Sequence, residues 1–140
     1  MSATDDDLQA KLDLLKIRGL RVHWDALIDY AEKKKLSHVR FLQHVVDVLN
    51  KEREAYSLEM RLKRATIPEM FLMATYPFAR QPKLNRAKIL NIFDSLDYIR
   101  KKENIILLGP TSVGKTGLAT SFLVNAIENG FTGRFITFLS

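Results

Sequence analysis

At 140 residues, 46% apolar and 27% charged, the chain has the composition of one soluble globular domain or two small ones. It contains no cysteine, which excludes disulfide scaffolds, thiolate zinc sites and cysteine nucleophiles together. Its net charge of +6 is unevenly placed: residues 1–59 hold 10 basic and 11 acidic groups, 60–102 hold 10 and 3, and 103–140 hold 2 and 2. The basic middle would attract phosphate backbones in a salt-dependent way, although a solvated basic surface is the blander account of the same charges. Apolar runs such as Ile105–Leu108 fall far short of the roughly 20 residues that cross a bilayer, and the N-terminus opens with acids. A cytoplasmic protein without a membrane span is expected.

In chain order, Asp5–Asp7 precede Leu8, Leu12 and Leu15 as the acidic first turn of a helix, and Arg18-Gly19 is expected to break it. Leu20, Trp24, Leu27, Ile28 and Ala31 form one apolar face of a second helix, with Trp24 in the core. Ser37 is a candidate N-cap for a long helix reaching about Ala65, striped by Leu42, Val45, Val46, Leu49, Tyr56 and Met60 and stopped by Pro68. Pro68, Pro77 and Pro82 mark an extended connection. Asn85 then caps a helix buried through Ile89, Phe93 and Leu96. Ile105–Leu108 reads as a strand covered on both faces, Lys115–Glu128 as a helix stopped at Asn129-Gly130, and Arg134–Phe138 as a second strand. The divisions expected are a helical region at 1–67, a linker at 68–84, and a partial α/β nucleotide-binding domain at 85–140. His23, His38 and His44 lack partners at ligand spacing and suit surface or helix-packing roles.

Between the first strand candidate and the following helix stands Gly109-Pro110-Thr111-Ser112-Val113-Gly114-Lys115-Thr116, which fits G-x-x-x-x-G-K-[ST]. Glycine lets backbone wrap a phosphate without a Cβ clash, and successive N–H groups and the positive helix end point at the anion. Lys115 would reach the β and γ phosphates, and Thr116 would place its hydroxyl on Mg²⁺. Hydrolysis needs an acid closing a second apolar strand; none follows Phe135–Leu139, while Asp47 and Asp94 fall on helical patterns. Arg61, Lys63 and Arg64 are candidates for contact with DNA, and are equally accounted for by the negative end of the long helix.

The run from Asn104 through the loop to Gly117-Leu118-Ala119-Thr120 resembles the nucleotide-binding segment of IstB-type transposition helper ATPases, AAA+ relatives of the helicase loader DnaC. Ser112 stands where a glycine is frequent, and Gly117 where a histidine is frequent. The resemblance implies an ATP- and Mg²⁺-binding protein that contacts DNA, directs a transposase and assembles into oligomers. It also implies a truncated form, because such proteins continue for roughly another hundred residues, a domain's worth, with the Walker B acid, sensors and arginine finger. The expected fold is therefore a helical N-terminal region followed by the truncated start of a P-loop, AAA+-like α/β domain. The expected function is nucleotide binding without competent hydrolysis, with marginal stability in isolation and a doubtful oligomer. The alternative is a non-catalytic helical module contacting a transposase, a sister ATPase or DNA.

Overall fold

The computed structural model describes residues 3–111 and 114–138, with side chains from residue 6 onward. Its elements are helices α1 (Ala3–Leu14), α2 (Arg18–Lys34), α3 (His38–Arg64), α4 (Arg86–Ser95), α5 (Asp97–Arg100) and α6 (Lys115–Glu128), with 3-10 turns at Met73–Thr75 and Phe78–Arg80. The chain forms two compact units, Met1–Ser57 and Leu58–Ser140, that part within α3.

In the first unit α1 ends in a turn where Lys16 takes a left-handed backbone (φ 57°) and the Ile17 amide returns to the Leu12 carbonyl. The Arg21 guanidinium meets the Asp13 carboxylate at 2.8 Å across that turn. The helix break thus falls at residues 15–17, and Gly19, expected to interrupt, lies inside the first turn of α2. A Cβ at Gly19 would strike the Glu52 carboxylate and stand 2.8 Å from Leu49 Cδ2, so this glycine admits α3 close to α2. Leu12 and Leu27 are buried, whereas Trp24, expected in the core, is only half-buried.

The Ser37 hydroxyl accepts from the Arg40 amide at 3.4 Å, a long bond at the expected N-cap of α3. The inward face of α3 shares Val45, Leu49 and Met60 with the expected stripe and differs from it elsewhere. Phe41, His44, Val45, Val48 and Leu49 are half-buried, while Leu42, Val46 and Tyr56 are more than 60% exposed. His44 belongs to that inward face because its ring stacks on Tyr30 at 4.2 Å, an interaction that hydropathy does not score. His23 lies 3.7 Å from Glu52. The helix ends at Arg64, before Pro68, with Thr66 left-handed at φ 51°.

The second unit is organised around α6, whose Gly117, Leu118, Thr120, Ser121, Phe122, Val124, Ala126 and Ile127 are all buried. Met73, Leu118 and Phe122 form the centre of a cluster against which Ile89, Leu90, Phe93, Tyr98 and Leu107 pack. Phe93 and Tyr98 meet the Phe122 ring edge-on at 5.3 and 5.7 Å. Asn85 caps α4, its side-chain oxygen accepting the Lys88 amide at 3.0 Å. Among the described residues neither expected strand forms. A strand exists only by pairing. The Phe135 amide donates instead to the Ala65 carbonyl at 2.8 Å, and the Phe135 carbonyl accepts from the Thr66 hydroxyl at 2.9 Å. Ile106, Leu108, Ile136 and Phe138 are accordingly exposed, Leu108 by 90% and Phe138 by 94%.

Candidate functional site

The site is built where the chain leaves 104–111 and enters α6. Gly114 immediately precedes the helix with φ 84°, a left-handed conformation that an L side chain takes at a cost, and it carries no side chain to cap the first turn. Amides of that turn therefore remain directed at the loop, in the arrangement that favours an anion. The Lys115 ammonium is folded back on the same loop, donating to the carbonyls of Gly109, at 2.6 Å, and of Pro110. Thr116 is exposed in the first turn, and its carbonyl accepts from the Thr120 hydroxyl at 2.7 Å. Ser112 and Val113 lie outside the described residues.

A cleft of about 490 Å³ runs along this loop, lined by Ile106–Pro110, Lys115 and Leu118 on one side and by Tyr76, Gln81, Lys83 and Leu84 on the other. The second wall was not legible as a functional feature. It belongs to the proline-rich connection, which folds onto α6: the Ser121 hydroxyl donates to the Phe71 carbonyl at 3.1 Å, and Met73 is buried beside Leu118. The signal available was Met70–Ala74, an apolar run too long for a solvated linker. Gly117 fits the same approach, since a Cβ there would stand 3.3 Å from the Phe71 ring.

The residues suggested for DNA contact are differently placed. Lys63 pairs with Glu59 at 2.7 Å, holding that carboxyl below its usual range through a hydrogen bond and through charge. Arg61 is half-buried, with its Nε buried and without a hydrogen bond, and Arg64 is exposed. Other basic residues of the middle segment also have structural contacts: Arg86 stands over the Phe78 ring at 5.4 Å, and Arg100 donates to the Ser95 carbonyl at 2.6 Å. Among the described residues no group of three or more His, Asp or Glu could hold a metal ion, and no helix is long and apolar enough to cross a membrane.

These observations define a helical chain with a glycine-lysine loop at the mouth of a buried helix, and comparison with known proteins gives its family. Residues 10–140 match the family model described as IstB-like ATP binding protein, and the chain belongs to that family. It is 34% identical over 130 residues to the insertion sequence IS21 ATP-binding protein of Pseudomonas aeruginosa, covering 93% of this chain and 49% of that one. It is 33% identical over 114 residues to the IS5376 ATP-binding protein of Geobacillus stearothermophilus, covering 81% and 45%. With the IS232 ATP-binding protein of Bacillus thuringiensis subsp. berliner it shares 30% over 136 residues, covering 97% and 54%. The chain spans about half the length of the curated relatives it matches.

Proposed function

We propose that this chain binds ATP with Mg²⁺ in the loop Gly109–Thr116, as an IstB-like transposition helper, and does not itself turn the nucleotide over. The observation that carries the reading is the pairing of a left-handed Gly114 at the mouth of α6 with a Lys115 ammonium already turned into the loop. A triphosphate would take the amides of Gly109, Thr111, Ser112, Val113 and Gly114 as donors, while Pro110, which has no N–H, would only shape the turn. Lys115 would exchange its carbonyl partners for phosphate oxygens, and Thr116 would supply a hydroxyl to the magnesium. Bound Mg²⁺ would neutralise phosphate charge. The residues fit such a group, because Gly114 supplies the positive φ of the turn into α6 and the Lys115 ammonium brings positive charge to the loop. What supports the turnover half of this reading is that Asp47 and Asp94 lie on α3 and α4, not at the end of a strand where hydrolysis uses an acid.

Within this reading 1–67 is a helical region, 68–84 a connection, and 85–140 a partial P-loop, AAA+-like domain. DNA and a transposase are its partners, with Arg61, Lys63 and Arg64 as candidate phosphate contacts. Calorimetry with Mg-ATP should show saturable binding that Lys115→Ala removes; folded protein that takes up no nucleotide, or binds equally with alanine at 115, overturns the assignment. DNA contact should weaken steeply with salt and in Arg64→Ala. A second reading, a non-catalytic interaction module, is favoured by one feature, the exposed Val39, Leu42 and Val46 along one side of α3. Partner binding indifferent to nucleotide and to Lys115 would support it.

A further inference from the structure

The nucleotide loop touches a residue outside its own motif. Tyr76 reaches Gly114 so closely that a Cβ on that glycine would lie 3.2 Å from the phenol oxygen and 3.5 and 3.7 Å from Cε2 and Cζ of the ring. The approach is made by the tip of the side chain, the phenol oxygen and the ring edge beside it, and it falls on the residue that sets the left-handed turn into α6.

Tyr76 is itself held from both sides. Its amide donates to the Met73 carbonyl at 3.2 Å, closing the 3-10 turn whose first residue is buried against Leu118 and Phe122. Pro77 follows and restricts Tyr76 to extended backbone, observed at φ −65° and ψ 127°. The Phe78 ring meets the Tyr76 ring edge-on at 4.8 Å. Upstream, the bond from Ser121 to the Phe71 carbonyl ties the same segment to α6. A side chain fixed at its backbone and its base thus presents its tip to the most conformationally permissive residue of the loop.

Resting on the nucleotide-binding reading above, we propose that Tyr76 is a positioning residue for the phosphate loop: its ring edge holds Gly114 in the left-handed turn that aims the α6 amides at the bound anion. Glycine at 114 then has two reasons, the positive φ and the space Tyr76 occupies. The phenol oxygen is the nearest atom and the Cε2–Cζ edge stands just behind it, so the contact survives in part when the oxygen alone is removed. Without the ring, the loop would have to be ordered by the nucleotide itself, and affinity would fall by the population of competent loop.

The test is a Mg-ATP titration of the full chain with Tyr76→Phe, Tyr76→Leu and Tyr76→Ala, each checked for helix content by circular dichroism. Tyr76→Phe should bind within about twofold of the parent, and Tyr76→Ala should bind about tenfold or more weakly, the range of a loop no longer pre-organised. Tyr76→Leu keeps apolar bulk against Phe78 but does not reach Gly114, so it should lose affinity like alanine and serves if the alanine variant fails to fold. Gly114→Ala should cost less affinity in Tyr76→Ala or Tyr76→Leu, since loss of the ring clears the space that the added Cβ needs. Folded Tyr76→Leu binding like the parent, a large loss in Tyr76→Phe, or strict additivity with Gly114→Ala would overturn the proposal. Lys115→Ala keeps the two failures apart. If it abolishes binding while Tyr76→Leu does not, only the Tyr76 role falls; if the parent binds nothing, the nucleotide reading falls first.

Discussion

Phe122 and Phe138 are the same residue in opposite surroundings, 9% and 94% exposed, and their replacement by alanine should separate burial from chemistry. Phe122 lies in the cluster with Met73 and Leu118, and Phe93 and Tyr98 meet its ring at 5.3 and 5.7 Å. Removing it opens a cavity on the buried side of α6, and such truncations cost about 3–5 kcal/mol, a value that already contains the aromatic contacts. Against a typical domain stability of about 5–15 kcal/mol that is a large share. With a urea m-value of about 1–3 kcal/mol/M, the unfolding midpoint should fall by about 1 M or more. Phe138→Ala should stay within about 0.5 kcal/mol of the parent. Urea titrations followed by circular dichroism measure both. Equal midpoint shifts for the two variants, or a shift below about 0.3 M for Phe122→Ala, would refute the placement of the core around α6.

Other expectations follow from single contacts. Asn85→Ala removes the acceptor for the Lys88 amide at the start of α4 and should cost about 1 kcal/mol, read as a lowered melting midpoint. The Glu59 carboxyl is held below its usual value by the hydrogen bond and charge of Lys63. Its contribution is present above the ordinary carboxylate range and is lost as pH falls through the depressed value, so this exposed pair should add a small acid loss of helix content that Lys63→Ala reduces. The Tyr98 phenol is raised above its ordinary value of 10.0 by burial. Folding is therefore favoured below that pH and weakened as pH rises through the raised value, and Tyr98→Phe should flatten the alkaline loss seen in denaturant titrations. The exposed Ile106, Leu108, Ile136 and Phe138 should bind the dye ANS, and Leu108→Ser with Phe138→Ser should reduce its fluorescence.

Local events were legible from the chain alone, because they are written in neighbouring residues. Asn85 and Ser37 mark helix starts through their own side-chain oxygens, and Asn129-Gly130 closes α6 with Gly130 at positive φ. The loop Gly109–Thr116 was legible because its chemistry needs glycine and lysine at fixed spacing, and α6 begins at Lys115 as expected. What depended on partners distant in the chain was decided by tertiary structure. Which face of α3 turns inward was set by Gly19, which lets α3 approach, and by the Tyr30–His44 stack, so of the stripe counted by hydropathy Val45, Leu49 and Met60 are half-buried while Leu42, Val46 and Tyr56 are exposed. The apolar runs 105–108 and 134–138 had strand composition, but pairing is a property of two segments together, and the Phe135 amide found Ala65. The proline-rich connection looked like a spacer for the same reason. Only folding brought Phe71, Met73 and Tyr76 onto α6, where contact with Gly114 and Gly117 makes a stretch without a motif into one wall of the site.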